Sequence, residues 1–318
     1  MNSTHNTMNS TTTPYRVESL FDTIGAVVTP DGDGGLLNLS RDAVLSLLKK
    51  HGALLFRGFA PELEAYQAFS DLFCAEFITY MGGGYQRQVI NTEGDQTILS
   101  VNYYLGQQHQ RTFGLPLHGE MYYIDHRPDV MFFYCVHPAS RDGETTVADG
   151  ALLYQALSPK TQDCFNRQRL KYIRSYQRED WQARFLTEDM AVVQQFCHDN
   201  GLSITQHGDD SIDTEYVSPG VMHPPRSDRP VFINNLLPVI WQEENGSTNN
   251  IVRWEDGSQI SADIIEETKA AADRCTRLVA WQPLEILMVD NTRVLHGRKA
   301  FEDNHREIYT RMGRSILW

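Results

Sequence analysis

The chain has 318 residues, 41% hydrophobic and 22% charged, an ordinary balance for a soluble globular protein. Its net charge of −13, with no lysine- or arginine-rich run, argues against an electrostatic grip on nucleic acid. No apolar stretch approaches the roughly 20 residues of a membrane span, and five scattered cysteines, none in a CxxC pair, speak against a disulfide framework or zinc knuckle and for reduced thiols in the cytoplasm.

Residues 1–14 are rich in Ser, Thr and Asn without a hydrophobic centre, and are expected to be a disordered tail rather than a secretory signal. Residues 15–318 are expected to form one domain. After Asn38 or Ser40 as a cap, Val44, Leu45, Leu47 and Leu48 make an apolar stripe, which predicts a helix over Leu39 to Lys50. Ala53 to Phe59 reads as a short buried strand. Leu63, Tyr66, Phe69, Leu72 and Phe73 return to helical period within Glu62 to Phe77.

From Thr112 the texture changes to short β-rich segments at His118 to Tyr123, Val130 to Val136 and Gly143 to Val147, separated by turn signals. A largely helical stretch follows, Asp149 to Leu170 and Glu188 to Asn200, then a strand at Val231 to Leu236. Ala262 to Cys275 reads as helix. Strands are predicted at Leu278 to Asp290, Thr292 to His296 and Ile308 to Ile316. Strands on both sides of a helical insertion at about 150–230 suggest an α+β fold: a double-stranded β-helix, or jelly roll, with flanking helices.

On an extended strand, residues two apart face the same way, so His118 and Glu120 would present an imidazole and a carboxylate together. His296 could supply a second imidazole. Two histidines and one carboxylate, with coordination positions left open, mark non-haem Fe(II) oxygenases. Arg306, ten residues past His296, could return on a hairpin. Its planar fork suits the distal carboxylate of 2-oxoglutarate.

From about Ala53 to Met312 the chain resembles the taurine dioxygenase (TauD/TfdA) family of Fe(II)/2-oxoglutarate oxygenases, nearest to the branch typified by the syringomycin-pathway aspartyl hydroxylase (SyrP). The segments that carry this are Leu54 to Phe59, His118-Gly119-Glu120-Met121, Phe133-Tyr134-Cys135, Gly143-Glu144-Thr145-Thr146, and Asp290-Asn291 through His296 to Phe301. The resemblance implies that His118, Glu120 and His296 hold iron and that Thr145 contacts 2-oxoglutarate. It gives Arg306 the distal carboxylate, with Arg311 as the fallback. Asn102, Tyr104, Tyr122 and Asn234 are candidate substrate contacts. Arg298, read as lying on the opposite face of its strand from His296, could touch substrate or form a structural ion pair.

Two departures from the family pattern bear on hairpin geometry. Pro283-Leu284-Glu285 replaces a Gly-Asp turn, and Glu302 to His305 lacks the glycine expected before the arginine. The implied activity needs Fe(II), 2-oxoglutarate and O2. The expected reaction is oxidation of a C–H bond, by default hydroxylation, in an amino acid that is free or tethered to a carrier protein in specialised metabolism, with release of succinate and CO2. Desaturation or another oxidation of a different small carboxylate or amine substrate, an iron oxygenase that does not use 2-oxoglutarate, a zinc hydrolase and an inactive ligand-binding jelly roll are the competing readings. Neither a nucleic acid nor a membrane is an expected partner.

Overall fold

A computed structural model describes residues 15–79, 87–90, 96–104, 112–225, 227–303 and 305–318, with Tyr103 and Tyr104 described by backbone alone. The tail expected at 1–14 lies outside the described residues. The first part of the chain contains β1 (Tyr15–Ser19), β2 (Ala26–Pro30), α1 (Arg41–His51), β3 (Ala53–Phe56), α2 (Leu63–Asp71) and β4 (Cys74–Ile78). It continues through β5 (Arg87–Val89), β6 (Leu99–Tyr104), β7 (Leu115–His118), β8 (Val130–His137) and β9 (Thr145–Asp149).

The middle holds α3 (Gly150–Ala156), α4 (Pro159–Arg167), β10 (Arg169–Tyr176), α5 (Arg178–Phe185), α6 (Met190–Asp199), β11 (Leu202–Gln206) and β12 (Ile212–Pro219). It ends with β13 (Val221–Met222), β14 (Val231–Phe232), α7 (Leu236–Glu244), β15 (Asn250–Trp254) and α8 (Ala262–Cys275). Last come β16 (Arg277–Val279), β17 (Glu285–Asp290), β18 (Val294–Arg298) and β19 (Glu307–Ile316).

These strands make a mixed α/β fold of several sheets. A nine-stranded sheet runs β1-β2-β3-β17-β8-β19-β6-β5, with β4 also on β19; a four-stranded sheet runs β16-β9-β18-β7. The strands at the centre of the large sheet, β3, β17 and β8, are apolar along most of their length because both faces are buried. Leu54, Phe56, Phe132, Ile286 and Met288 turn towards Leu45 and Leu48 of α1 and Phe69 of α2. Their neighbours Leu55, Phe133, Leu287 and Val289 turn the other way, into a core shared with Leu117, Val147 and Leu295 of the smaller sheet. The ring of Phe133 stands edge-on to His296 with centroids 5.2 Å apart, so β8 and β18 face each other across that core.

Several elements differ from the sequence reading. The helix predicted through Phe77 stops at Asp71, and Cys74–Ile78 pairs antiparallel with β19 as an outer strand. Helices fall where expected at the start of the middle segment, but Arg169–Tyr176 is a strand, central to a second four-stranded sheet β11-β12-β10-β15. The strand expected at Val231 to Leu236 ends at Phe232. Asn234 diverts the backbone, its Oδ1 accepting from Leu236 N (2.9 Å) and its Nδ2 donating to Gly220 O (2.8 Å), and α7 begins instead.

Candidate active site

His118 is the last residue of β7, and His296 sits opposite it in the antiparallel pairing of β7 with β18. Neighbouring strands are about 4.8 Å apart, which brings the imidazole rings to a centroid separation of 4.5 Å. So close an approach needs Gly297: a Cβ there would come within 2.4 Å of Leu115 O.

Glu120 arrives by a route the sequence reading did not foresee. The strand expected over His118 to Tyr123 ends at His118, and Glu120 lies in a turn that passes through Met121 at φ 60°. The turn is fixed by hydrogen bonds rather than by pleat. Asn291 Oδ1 accepts from Glu120 N (2.8 Å), and Asn291 Nδ2 donates to Glu120 O (3.1 Å) and Pro128 O (2.7 Å). From the other side Gly119 N donates to Asn234 O (3.0 Å), and Asn235 Nδ2 donates to Gly119 O (2.8 Å). A side chain at 119 would meet the Tyr122 ring at 2.4 Å, which explains the glycine.

The result is a buried cluster in which one donor atom each from His118, Glu120 and His296 lies within 4.8 Å of the others. Glu120 Oε2 is 3.4 Å from His296 Nε2 and 3.9 Å from His118 Nε2. That oxygen is buried, and no hydrogen bond satisfies it. Burial lowers the His118 pKa to about 4, so its ring is neutral near pH 7. Its Nδ1 is 2.9 Å from Pro116 O; the Nδ1–H tautomer turns the Nε2 lone pair towards Glu120. Burial alone would raise the Glu120 pKa, but His296 and Arg87, whose Nη2 is 3.6 Å away, hold it down at about 2. An orphaned carboxylate oxygen between two imidazole nitrogens is a donor set that fits a divalent cation.

Beside the cluster is a small cavity of about 30 Å³, lined by Thr145 and Arg306 along with His118, His296 and Arg298. Thr145 Oγ1 accepts from Trp281 Nε1 (2.9 Å), an anchor that the sequence reading did not single out. Arg306 is buried, its Nε donating to Gly143 O (2.8 Å) and its Nη1 to Asn102 Oδ1 (2.6 Å). Burial, together with nearby Arg298, pushes the Arg306 pKa down to about 9, an environment that an anion would relieve.

Arg311 is directed elsewhere. It donates to Gln67 O (3.1 Å) and Asp71 Oδ1 (2.8 Å) beside α2 and lies 3.6 Å over the Phe77 ring. Arg298 lines the cavity with His296, contrary to the opposite-face reading, because a two-residue step along a strand returns to the same side. Its Nη2 donates to Phe113 O (2.8 Å). Tyr122 donates to Asn291 O (2.9 Å) and, like Asn102 and Asn234, bonds to the frame of the site. The side chain of Tyr104 lies outside the described residues.

The two departures are accommodated. Leu284 takes φ 63° in the turn where the family pattern has glycine, and the adjoining Glu285 is buried and pairs with Arg57. Asp303 secures the segment before Arg306 by accepting from Ser140 N (2.7 Å) and His305 N (3.0 Å).

A wider cleft of about 470 Å³ opens from Arg87, His118 and Arg298 and is walled by β10 and α7 with Tyr123, Tyr176 and Trp241. Among the described residues no helix is long and apolar enough to cross a membrane.

Comparison with known proteins agrees with this geometry. A clavaminate synthase-like protein of Arabidopsis thaliana is 25% identical over 279 residues, 82% of this chain and 81% of its own. Dapdiamide synthesis protein DdaC of Enterobacter agglomerans is 23% identical over 280 residues, 83% and 82%. PvcB of Pseudomonas aeruginosa superposes with a TM-score of 0.61 at 19% identity, covering 95% of this chain and 91% of its own. Another structure of PvcB, described as an Fe, alpha-ketoglutarate dependent oxygenase from an isonitrile synthetic pathway, gives 0.58 at 19% identity over 99% and 94%. At such identities the structural likeness speaks for the fold. The model of the taurine catabolism dioxygenase TauD, TfdA family matches residues 16–312, and the chain therefore belongs to that family of oxidoreductases.

Proposed function

We propose that the chain is an Fe(II)- and 2-oxoglutarate-dependent dioxygenase that hydroxylates an unactivated C–H bond of an amino acid, free or carried as an aminoacyl group on a carrier protein, in cytoplasmic biosynthesis. The observation that carries this is the convergence of His118, Glu120 and His296 in one buried cluster, next to a cavity that also holds Thr145 and Arg306. In this reading the two facing sheets form a double-stranded β-helix, and the segment between β9 and β16 is an insertion into one domain.

His118, Glu120 and His296 would hold the iron. When bound, Fe(II) lets O2 and 2-oxoglutarate convert R–H to R–OH, with succinate and CO2 as co-products. The protein's own residues bind and orient. Arg306 pairs with the distal carboxylate of 2-oxoglutarate through its fork, in a buried setting that strengthens the pair. The Thr145 hydroxyl, held by Trp281, offers a further contact to the same molecule. Phe133 and Val101 exclude water from the small cavity. A biosynthetic role accords with DdaC and PvcB, both described by synthetic pathways.

The test is anaerobic titration of the full chain with Fe(II) and then 2-oxoglutarate. Stoichiometric binding of both is expected, and no 2-oxoglutarate binding by the iron-loaded protein would reject the reading. Succinate release across free amino acids and their carrier-tethered forms then identifies the substrate.

A further inference from the structure

The polarity of the small cavity turns on one hydroxyl. Its wall includes the guanidinium of Arg306, a group with N–H donors and no acceptor, and the side chain of Thr145. A threonine hydroxyl is ambiguous by itself, since it holds one O–H donor and two acceptor lone pairs and can turn either way. Here the ambiguity is removed from behind. Trp281 Nε1 donates to Thr145 Oγ1 (2.9 Å), and an indole N–H can only donate. Among the described residues the hydroxyl meets no acceptor, which leaves the cavity it lines as the place where its own proton can be accepted.

A clamped turn holds Trp281 in place for this. Val279, the last residue of β16, pairs with Thr145 at the start of β9, and the chain runs on two residues to Trp281. In the other sheet β17 then begins at Glu285. Glu285 is 1% exposed; it pairs with Arg57, and its Oε2 accepts from Gln282 N (2.8 Å). The same Arg57 donates through Nη2 to Ala280 O (3.1 Å). The residues on both sides of Trp281 are therefore tied to one ion pair, and the buried indole has little freedom to leave Thr145.

We infer that Trp281 is a positioning residue for the co-substrate: it fixes the Thr145 hydroxyl as a donor and so makes the small cavity select a carboxylate over a carboxamide. The inference rests on the proposed function, in which Arg306 holds the distal carboxylate of 2-oxoglutarate in this cavity. The two oxygens of a carboxylate accept both from Arg306 and from the hydroxyl. A carboxamide has one oxygen for the two donors, and its NH2 group is left against the other. Without the indole N–H the hydroxyl could turn and accept from that NH2, and the discrimination would weaken.

The probes are N-oxalylglycine, a 2-oxoglutarate analogue with an N–H in place of a methylene, and N-oxalylglycinamide, which differs from it only in a distal carboxamide. Both are titrated calorimetrically into the Fe(II)-loaded full chain without oxygen. Trp281→Phe is expected to weaken N-oxalylglycine about tenfold, the size of one hydrogen bond to a charged group, and to leave N-oxalylglycinamide within about twofold of the parent. Thr145→Val should produce a similar loss for the acid. The double variant should bind the acid no more weakly than Thr145→Val alone, because Trp281 acts through that hydroxyl. Benzothienylalanine in place of Trp281 keeps the shape of the indole without its N–H, and it repeats the test should phenylalanine unsettle the fold.

Equal losses for acid and amide in Trp281→Phe would overturn the inference, since a packing defect acts on both. So would a parent that binds acid and amide alike, or a double variant whose losses multiply. If the iron-loaded parent binds neither probe, the proposed function falls and this inference with it. If the parent binds N-oxalylglycine and the Trp281 variants bind it equally well, the role of Trp281 alone is lost.

Discussion

The two walls of the cleft are built on opposite principles. On the sheet side, His118 and His296 are fixed by strand pairing, and Glu120 by backbone hydrogen bonds to Asn291. Nothing there can move far without breaking a sheet or exposing unsatisfied backbone groups. The middle segment instead supplies long side chains, Arg174 and Arg184, from a separate sheet and a short helix. On the proposed function, chemistry belongs to the rigid wall, and the added wall shapes the mouth of the cleft with residues that can change without moving the cluster.

Substitutions on each wall can break or sharpen this contrast. Glu120→Ala should have the largest effect, lowering turnover about a thousandfold or more, roughly 4 kcal/mol in the barrier. The check is succinate release under saturating Fe(II), and substantial remaining activity would remove Glu120 from the ligand set. Arg306→Gln comes next. Losing a buried charge-assisted pair should raise the KM for 2-oxoglutarate about a hundredfold, with much of kcat recovered at saturation. An unchanged KM would transfer the role to another arginine.

Asn291→Ala tests whether the turn, rather than a strand, positions the carboxylate. Iron affinity should fall about tenfold, as for other groups that orient a ligand. Equilibrium dialysis reads this directly, and a variant with native melting and parental affinity would refute it. The smallest effect is expected from Asn235→Ala on the opposite wall, which removes the bond to Gly119 O. One neutral hydrogen bond is worth about 1 kcal/mol, so iron affinity should fall only a few-fold. A loss equal to that of Asn291→Ala would abolish the division between the walls.

Much of this was legible in the chain itself. The apolar runs at Ala53 and Val130 announced buried strands, whereas the single strand expected over Leu278 to Asp290 divides into β16 and β17 in different sheets; His118-x-Glu120, His296 and Arg306 stood out as donor types at informative spacings. Glu120 is the exception: period-two alternation predicts a strand position for its carboxylate, but the structure positions it through a turn with a left-handed Met121. Arg87 and Trp281 carried no local signal at all. Each matters only because of what it meets, Glu120 at 3.6 Å and Thr145 at 2.9 Å.

Sequence by itself determined the chemical types available and their alternation between faces, because hydrophobic period and donor identity are local properties. Tertiary structure decided which donors share a volume. His118 and His296 are 178 positions apart, and only the pairing of β7 with β18 makes them neighbours. It also decided which of Arg306 and Arg311 faces the cavity and which is tied up beside α2. Burial and convergence are sums over the whole chain, and no window of sequence contains them.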